Sequence, residues 1–399
     1  MRLRPVMYAL KRELKLNNRE RSLMRGCAGF KRFVYNYCLD LIIASWSFEG
    51  IKASDSKRID AIKKVFTTVT MQKPENTWMK NYPSTVYQSA FMDIKDAFVR
   101  WRKGLAEFPK KKSKKKGDSF SVYKTSGIYL KKGEPALPFT NRVVVNPGKR
   151  IKLPGLATTF RLKEKIGFIY SSQTFTVSRT ADRWFVSFTI DAEKIPPVIH
   201  PVESAGVDLG VKCLATVSDG TKYEMPAATK RAKIKLGKLQ WRNRKKVLGN
   251  KKLKVKASGK AKRYYVELSR RHARIANIRQ DTTQKMTTDL SRRIYNIRIE
   301  DLNVSGMIAN HKLANAISDK CFYEIRRQLI YKQAHYGTKV ELVDRWYPSS
   351  KTCSKCGHVQ DMKLKDRVFN CQKCGYSQDR DENASANLEN APSDRVRLA

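Results

Sequence analysis

The chain carries 82 Lys and Arg against 36 Asp and Glu over 399 residues, a formal net charge of +46 at pH 7. Such an imbalance makes a protein repel itself, and the ordinary reason to tolerate it is a polyanionic partner, which points to nucleic acid ahead of an anionic membrane. The lack of any long apolar run argues against a signal peptide or membrane span, Leu41-Ile42-Ile43-Ala44 being far too short, and the scattered Cys27, Cys38, Cys213 and Cys321 read as reduced cytosolic thiols rather than a disulfide framework.

In chain order, Met7-Tyr8-Ala9-Leu10 reads as a short extended segment leading to a turn at Asn17-Asn18. Helical periodicity follows: Phe30, Phe33, Val34, Tyr37 and Leu41 recur at three- and four-residue steps. A second stripe, Tyr87, Phe91, Ile94, Phe98 and Trp101, starts after the cap Pro83-Ser84. The region 18–104 is therefore predicted mostly helical. The lysine run from Lys110 to Lys116 comes next, a solvated loop by default and a candidate phosphate contact in so basic a chain. From Phe120 to Ile190 short β-type runs take over: Val143-Val144-Val145, Arg150-Ile151-Lys152-Leu153, Thr174 to Val177 and Trp184 to Ile190. Turns at Asn146-Pro147-Gly148 and Pro154-Gly155 separate them, and a small β-barrel with Pro196-Pro197 as exit linker fits this texture.

A third part opens with the apolar strand Ala205-Gly206-Val207-Asp208-Leu209-Gly210-Val211 and a second strand and turn, Leu214 to Gly220. Residues 230–279 hold about twenty Lys or Arg and one acid, Glu267, which reads as a phosphate-tracking surface. Leu268, Ile275, Ile278, Met286 and Leu290 mark the apolar face of a long helix that displays those cations on its other side. Strand Asn296 to Ile299 ends in Glu300; a helix from Phe322 to Tyr336 and strand Lys339 to Val343 follow.

Then come Cys353-Ser-Lys-Cys356 and Cys371-Gln-Lys-Cys374, two C-x-x-C pairs fourteen residues apart. This is the spacing of a four-thiolate zinc ribbon, each pair on a tight turn. The acidic cluster Asp379-Arg380-Asp381-Glu382 opens a closing helix at Asn383 to Leu388. Asp208 in a first strand, Glu300 at the end of a later one and Asp381 at the start of that helix follow the element order of an RNase H-like fold. Converging carboxylates there hold two divalent cations for phosphodiester cleavage, and hard oxygen ligands suit Mg²⁺. Each acid taken alone reads equally well as a cap or a surface residue. Asp208 is the better candidate, because an unpaired carboxylate in an apolar strand is costly without a metal or partner.

Five segments together carry a family resemblance: Gly206 to Lys212, His272 to Arg279, Ile299-Glu-Asp-Leu-Asn303, Pro348 to Gly357 and Asp379-Arg-Asp-Glu-Asn-Ala384. They resemble the TnpB family, transposon-encoded RNA-guided DNA nucleases related to type V CRISPR effectors, densely over 205–390 and more loosely before 200. The resemblance implies a multidomain α+β protein with a RuvC-like nuclease domain, an inserted zinc ribbon, and a wedge β-barrel interrupted by a helical recognition domain. Its boundaries would be 1–17 and 105–200 for the wedge, 18–104 for the recognition domain, 201–350 and 377–390 for the nuclease, 351–376 for the ribbon and 391–399 for a tail.

The resemblance also implies catalytic, magnesium-binding Asp208, Glu300 and Asp381, and structural zinc on Cys353, Cys356, Cys371 and Cys374. Asp381 is preferred to Asp379 because it precedes the x-Asn-Ala step of the family pattern. Asp301 would point to the other face of its strand, and His272 reads as a hydrogen-bonded helix histidine rather than a base. The implied partners are a guide RNA and double-stranded target DNA with a flanking motif, not a membrane, in the cytoplasm of a bacterium or archaeon. Two other readings share parts of this pattern: a guided DNA- or RNA-binding protein without cleavage, and a DNA-strand transferase.

Overall fold

The structure, a computed structural model, describes residues 7–46, 54–114, 117–124, 143–191, 198–246, 249, 255–310, 314–363 and 366–399. The Pro196-Pro197 linker and the end of the lysine run lie outside these. The chain divides into two compact units, Met1–Glu193 and Lys194–Ala399.

In the first unit, strand β1 (Met7–Lys15) leads through Asn17 into helix α1 (Asn18–Ser45). Asn17 and Glu20 form a capping box: each side chain accepts the other's backbone N–H at 2.8 Å. Helices α2 (Asp55–Thr68) and α3 (Ser84–Arg102) complete a helical layer. The buried stripe of α1 runs through Cys27, Phe30, Val34, Cys38 and Ile42, while Phe33 and Leu41, assigned to it from spacing, stay exposed. Seven further strands follow: β2 (Ser119–Tyr123), β3 (Val143–Val145), β4 (Gly148–Lys152), β5 (Thr159–Ile166), β6 (Tyr170–Ser172), β7 (Thr174–Thr180) and β8 (Arg183–Asp191). Six of the unit's strands pair antiparallel in the order β2-β7-β8-β1-β5-β4, with Phe120, Val122, Phe160, Phe175, Trp184 and Phe188 buried. Where the sequence suggests a barrel, no pairing joins edge strands β2 and β4 among the described residues. β5 carries no strand signal in the sequence, because Arg161-Leu162-Lys163-Glu164-Lys165 is mostly charged; Phe160, Leu162 and Ile166 are its buried residues.

The second unit is built on a six-stranded sheet in the order β11-β10-β9-β12-β13-β16. Strands β9 (Val202–Asp208), β12 (Ile294–Glu300) and β13 (Lys339–Val343) run parallel, whereas β10 (Ala215–Val217), β11 (Lys222–Tyr223) and β16 (Val396–Leu398) are antiparallel additions. Parallel neighbours need long crossovers. These are α4 (Ala227–Arg242) with α5 (Gly259–Arg293), and then α6 (Val304–Ala309), α7 (Ala314–Lys320) and α8 (Phe322–Tyr336). Val207, Ile297, Ile299, Val340 and Leu342 pack with Met286, Leu290, Ile325 and Leu329 of α5 and α8 into one core. A small hairpin, β14 (Val368–Asn370) and β15 (Ser377–Asp379), runs directly into α9 (Arg380–Glu389). Residues 391–399, read as a tail, instead supply β16, whose Val396 pairs with Val343 at the sheet edge. Among the described residues no helix is long and apolar enough to cross a membrane.

Candidate active site and metal centre

β9 and β12 pair in parallel with Val207 opposite Ile299, and their last residues are Asp208 and Glu300. Side chains at matching positions of a parallel pair project to the same face, so both carboxylates stand together at the carboxyl ends of adjacent strands. The same face carries α9. Gly206, two residues before Asp208, has no room for a side chain: a Cβ would lie 2.5 Å from the Glu389 backbone N and closer still to the Ser385 carbonyl oxygen. This glycine is there for close helix–strand approach. Arg298, also on this face, donates to the carbonyls of Glu389 and Ala391 and pairs with Glu341 at 2.8 Å, pinning the far end of the helix. The first turn of α9 holds Asp381 and Glu382.

The electrostatics report the same convergence. Burial pushes the Asp208 carboxyl up to about 7, the charges of Asp381, Glu300 and Asp379 add to the effect, and Arg380 opposes it. Glu300 is likewise pushed up to about 6, by burial first and by the neighbouring Asp301 charge second. Asp208 has no hydrogen bond or ion pair from its carboxylate among the described residues. The three acids do not draw together within 4.8 Å as the cysteines below do.

The competing residues are engaged elsewhere. Asp379 is the N-cap of α9, accepting from Asp381 N–H at 3.0 Å and Glu382 N–H at 3.3 Å, with Lys222 bridging to Glu382 at 2.7 Å. Asp301 lies on the opposite side, held by Arg326, Arg345 and Arg397. Burial works against its charge, yet those arginines hold its carboxyl below the usual range. His272 is exposed on α5 and, contrary to the sequence expectation, has no hydrogen bond among the described residues. In the lysine run, Lys110, Lys111 and Lys112 are paired with Glu107, Asp40 and Asp93.

The Sγ atoms of Cys353, Cys356, Cys371 and Cys374 all lie within 4.8 Å of one another, with Cys353 3.7 Å from Cys374 and Cys356 3.6 Å from Cys371. The two turns are built alike. Gly357 N–H donates to Cys353 O at 2.9 Å and Gly375 N–H to Cys371 O at 3.0 Å, both glycines at φ +70°. Only glycine adopts that conformation freely, so each C-x-x-C-G turn is encoded locally. Four sulfurs grouped in this way could hold a metal ion.

Sequence reasoning missed the residues that join this cluster to α9. Asn383 and Asn387 are 0% and 4% exposed, and their amides bond to residues 349–354. Two asparagines four apart on a helix was the available signal, since such a pair shares one face.

Comparison with known proteins adds the family. Residues 187–311 match the family described as "Probable transposase" and residues 322–388 match "Cas12f1-like, TNB domain". A Streptomyces pristinaespiralis protein named "Putative RNA-guided DNA endonuclease" is 31% identical over 366 residues, 91% of this chain and 83% of the relative. The Escherichia coli K12 "Putative RNA-guided DNA endonuclease InsQ" is 30% identical over 400 residues, 96% of this chain and 91% of the relative. A solved Cas12f1–sgRNA–target DNA complex shares the fold at 15% identity, with a TM-score of 0.53 over 93% of this chain and 82% of that one. On this similarity over nearly its whole length, the chain belongs to the TnpB family of transposon-encoded RNA-guided DNA endonucleases.

Proposed function

We propose that the chain is an RNA-guided endonuclease that cleaves double-stranded target DNA beside a short flanking motif, by two-metal phosphodiester hydrolysis. The observation that carries the reading is Asp208: a half-buried carboxyl, pushed up to about 7 by burial and without a hydrogen-bonding partner among the described residues, on the face shared by Glu300 and α9. An acid kept in that state is destabilising unless a cation completes it. Asp208, Glu300 and Asp381 offer hard oxygen donors that suit Mg²⁺, and the four thiolates suit a structural zinc. When bound, Mg²⁺ would activate water and neutralise charge building on the scissile phosphate.

The element order supports an RNase H-like, RuvC-type core for 201–350 and 377–390 with a ribbon inserted at 351–376. The antiparallel sheet of the first unit would be the wedge (1–17 and 105–200) and its helices the recognition domain (18–104). The basic α4–α5 pair carries exposed Trp241, with the Arg244 guanidinium 4.0 Å over its ring, and this suits backbone charge and base stacking. Sequence would be read by guide pairing, with the protein contacting shape and charge, in the cytoplasm.

The test is to purify the chain with its co-purifying RNA, sequence that RNA, and compare parent with Asp208→Ala. A defined RNA with a variable end, together with cleavage lost and guided DNA binding retained, supports the reading. Unchanged cleavage in the variant would sink it, and strand joining without RNA would point to a transferase.

A further inference from the structure

α9 is held to the rest of its unit in two separate ways. Its middle and far end rest on β9 and β12, through the close approach at Gly206 and the Arg298 bonds to Glu389 and Ala391. A different stripe of the helix, carrying Asn383 near its start and Asn387 a turn later, is tied to the cysteine cluster and the chain just before it. Asn383 Oδ1 accepts from the N–H of Ser354, inside the turn between Cys353 and Cys356, at 3.0 Å, while its Nδ2 donates to Thr352 O at 2.7 Å. Asn387 Nδ2 donates to Thr352 O at 2.6 Å and to Ser349 O at 2.7 Å. From the other cysteine pair the chain runs through β15 straight into Asp379, the cap of the helix. Asp381 thus lies on a turn bracketed by both cysteine turns, one by covalent continuity and one by a fully buried amide.

We propose that Asn383 is a positioning residue: it transmits the geometry of the metal-loaded Cys353–Cys356 turn to Asp381, so that cation affinity at the carboxylates depends on metal in the ribbon. This rests on the carboxylate reading above. The amide meets both a donor and an acceptor of the turn, so a displaced turn cannot leave it in place. Because Gly206 and Arg298 hold the far end independently, losing Asn383 releases the N-terminal turn while the helix stays docked. Partners standing behind metal-holding residues commonly change metal affinity by about 10–100-fold.

The experiment uses the full-length protein and Mn²⁺ as the probe, with binding read by electron paramagnetic resonance; the specific part is defined as that lost in Asp208→Ala. Asn383→Ala should keep its zinc by elemental analysis and bind Mn²⁺ about tenfold more weakly. Zinc-free Cys356→Ser should show a similar loss, and the double variant should be no weaker than the weaker single, since the two act through one link. Asn387→Ala, which keeps the Ser354 bond, should shift in the same direction by less, and it carries the test if Asn383→Ala does not fold. A lowered melting temperature with unchanged Mn²⁺ affinity would overturn the proposal, as would additive losses or loss of zinc from Asn383→Ala. Unchanged Mn²⁺ binding in Asp381→Ala would instead remove the carboxylate reading, and the proposal with it.

Discussion

The raised pKa of Asp208 makes a signed prediction about stability. Its carboxyl moves from an ordinary 3.8 to about 7 in the folded chain, chiefly through burial. The native state therefore holds the proton more tightly than the unfolded one. Stability contributed by this group is lost as pH rises from about 4 to about 7, and the loss is flat above that. The gap corresponds to about 4 kcal/mol at full ionisation, an upper bound because Glu300, itself raised to about 6, titrates in the same range. Asp208→Asn keeps the shape and removes the proton equilibrium. With no added Mg²⁺ and the ribbon metal retained, urea unfolding should find variant and parent within about 1 kcal/mol near pH 4.5. Near pH 8 the variant should be more stable by about 3 kcal/mol. Millimolar Mg²⁺ should then stabilise the parent and not the variant. A gap that fails to open with pH, or a variant less stable at pH 8, would refute the claim that this acid is held at a cost for a cation.

Other outcomes follow from the packing and the cysteines. Gly206→Ala should force α9 away from β9, lowering stability by about 1–3 kcal/mol and abolishing cleavage, checked by urea unfolding and a nicking assay. Cys371→Ser, or removal of metal by a chelator, should open residues 350–379 to protease while the first unit stays resistant, as limited proteolysis with mass mapping would report.

Much of this protein is written in short-range pattern. The cysteine turns follow from C-x-x-C-G alone, because a positive-φ glycine whose N–H donates to the first cysteine's carbonyl closes each turn within five residues. Helix α8 runs from Phe322 to Tyr336, the bounds read from the sequence, and the charge of the chain needs no coordinates to suggest a polyanion. Strand β16 could not be read this way: Val396-Arg397-Leu398 has no distinctive pattern and becomes a strand by pairing with β13. The triple arginine grip on Asp301 comes from α8, the loop after β13 and β16, three places remote in sequence. Asn383 stands in a recognisable motif, but its bridge to the first cysteine turn exists only because the fold brings Ser354 and Thr352 against its amide. Caps, turns and periodicity are set by neighbours a few residues away, so the sequence determines them by itself. Which acid is left without a partner beside α9 among the described residues and which is neutralised by arginine depends on strand register and on a helix docking where one glycine leaves space, and those are decided by long-range packing.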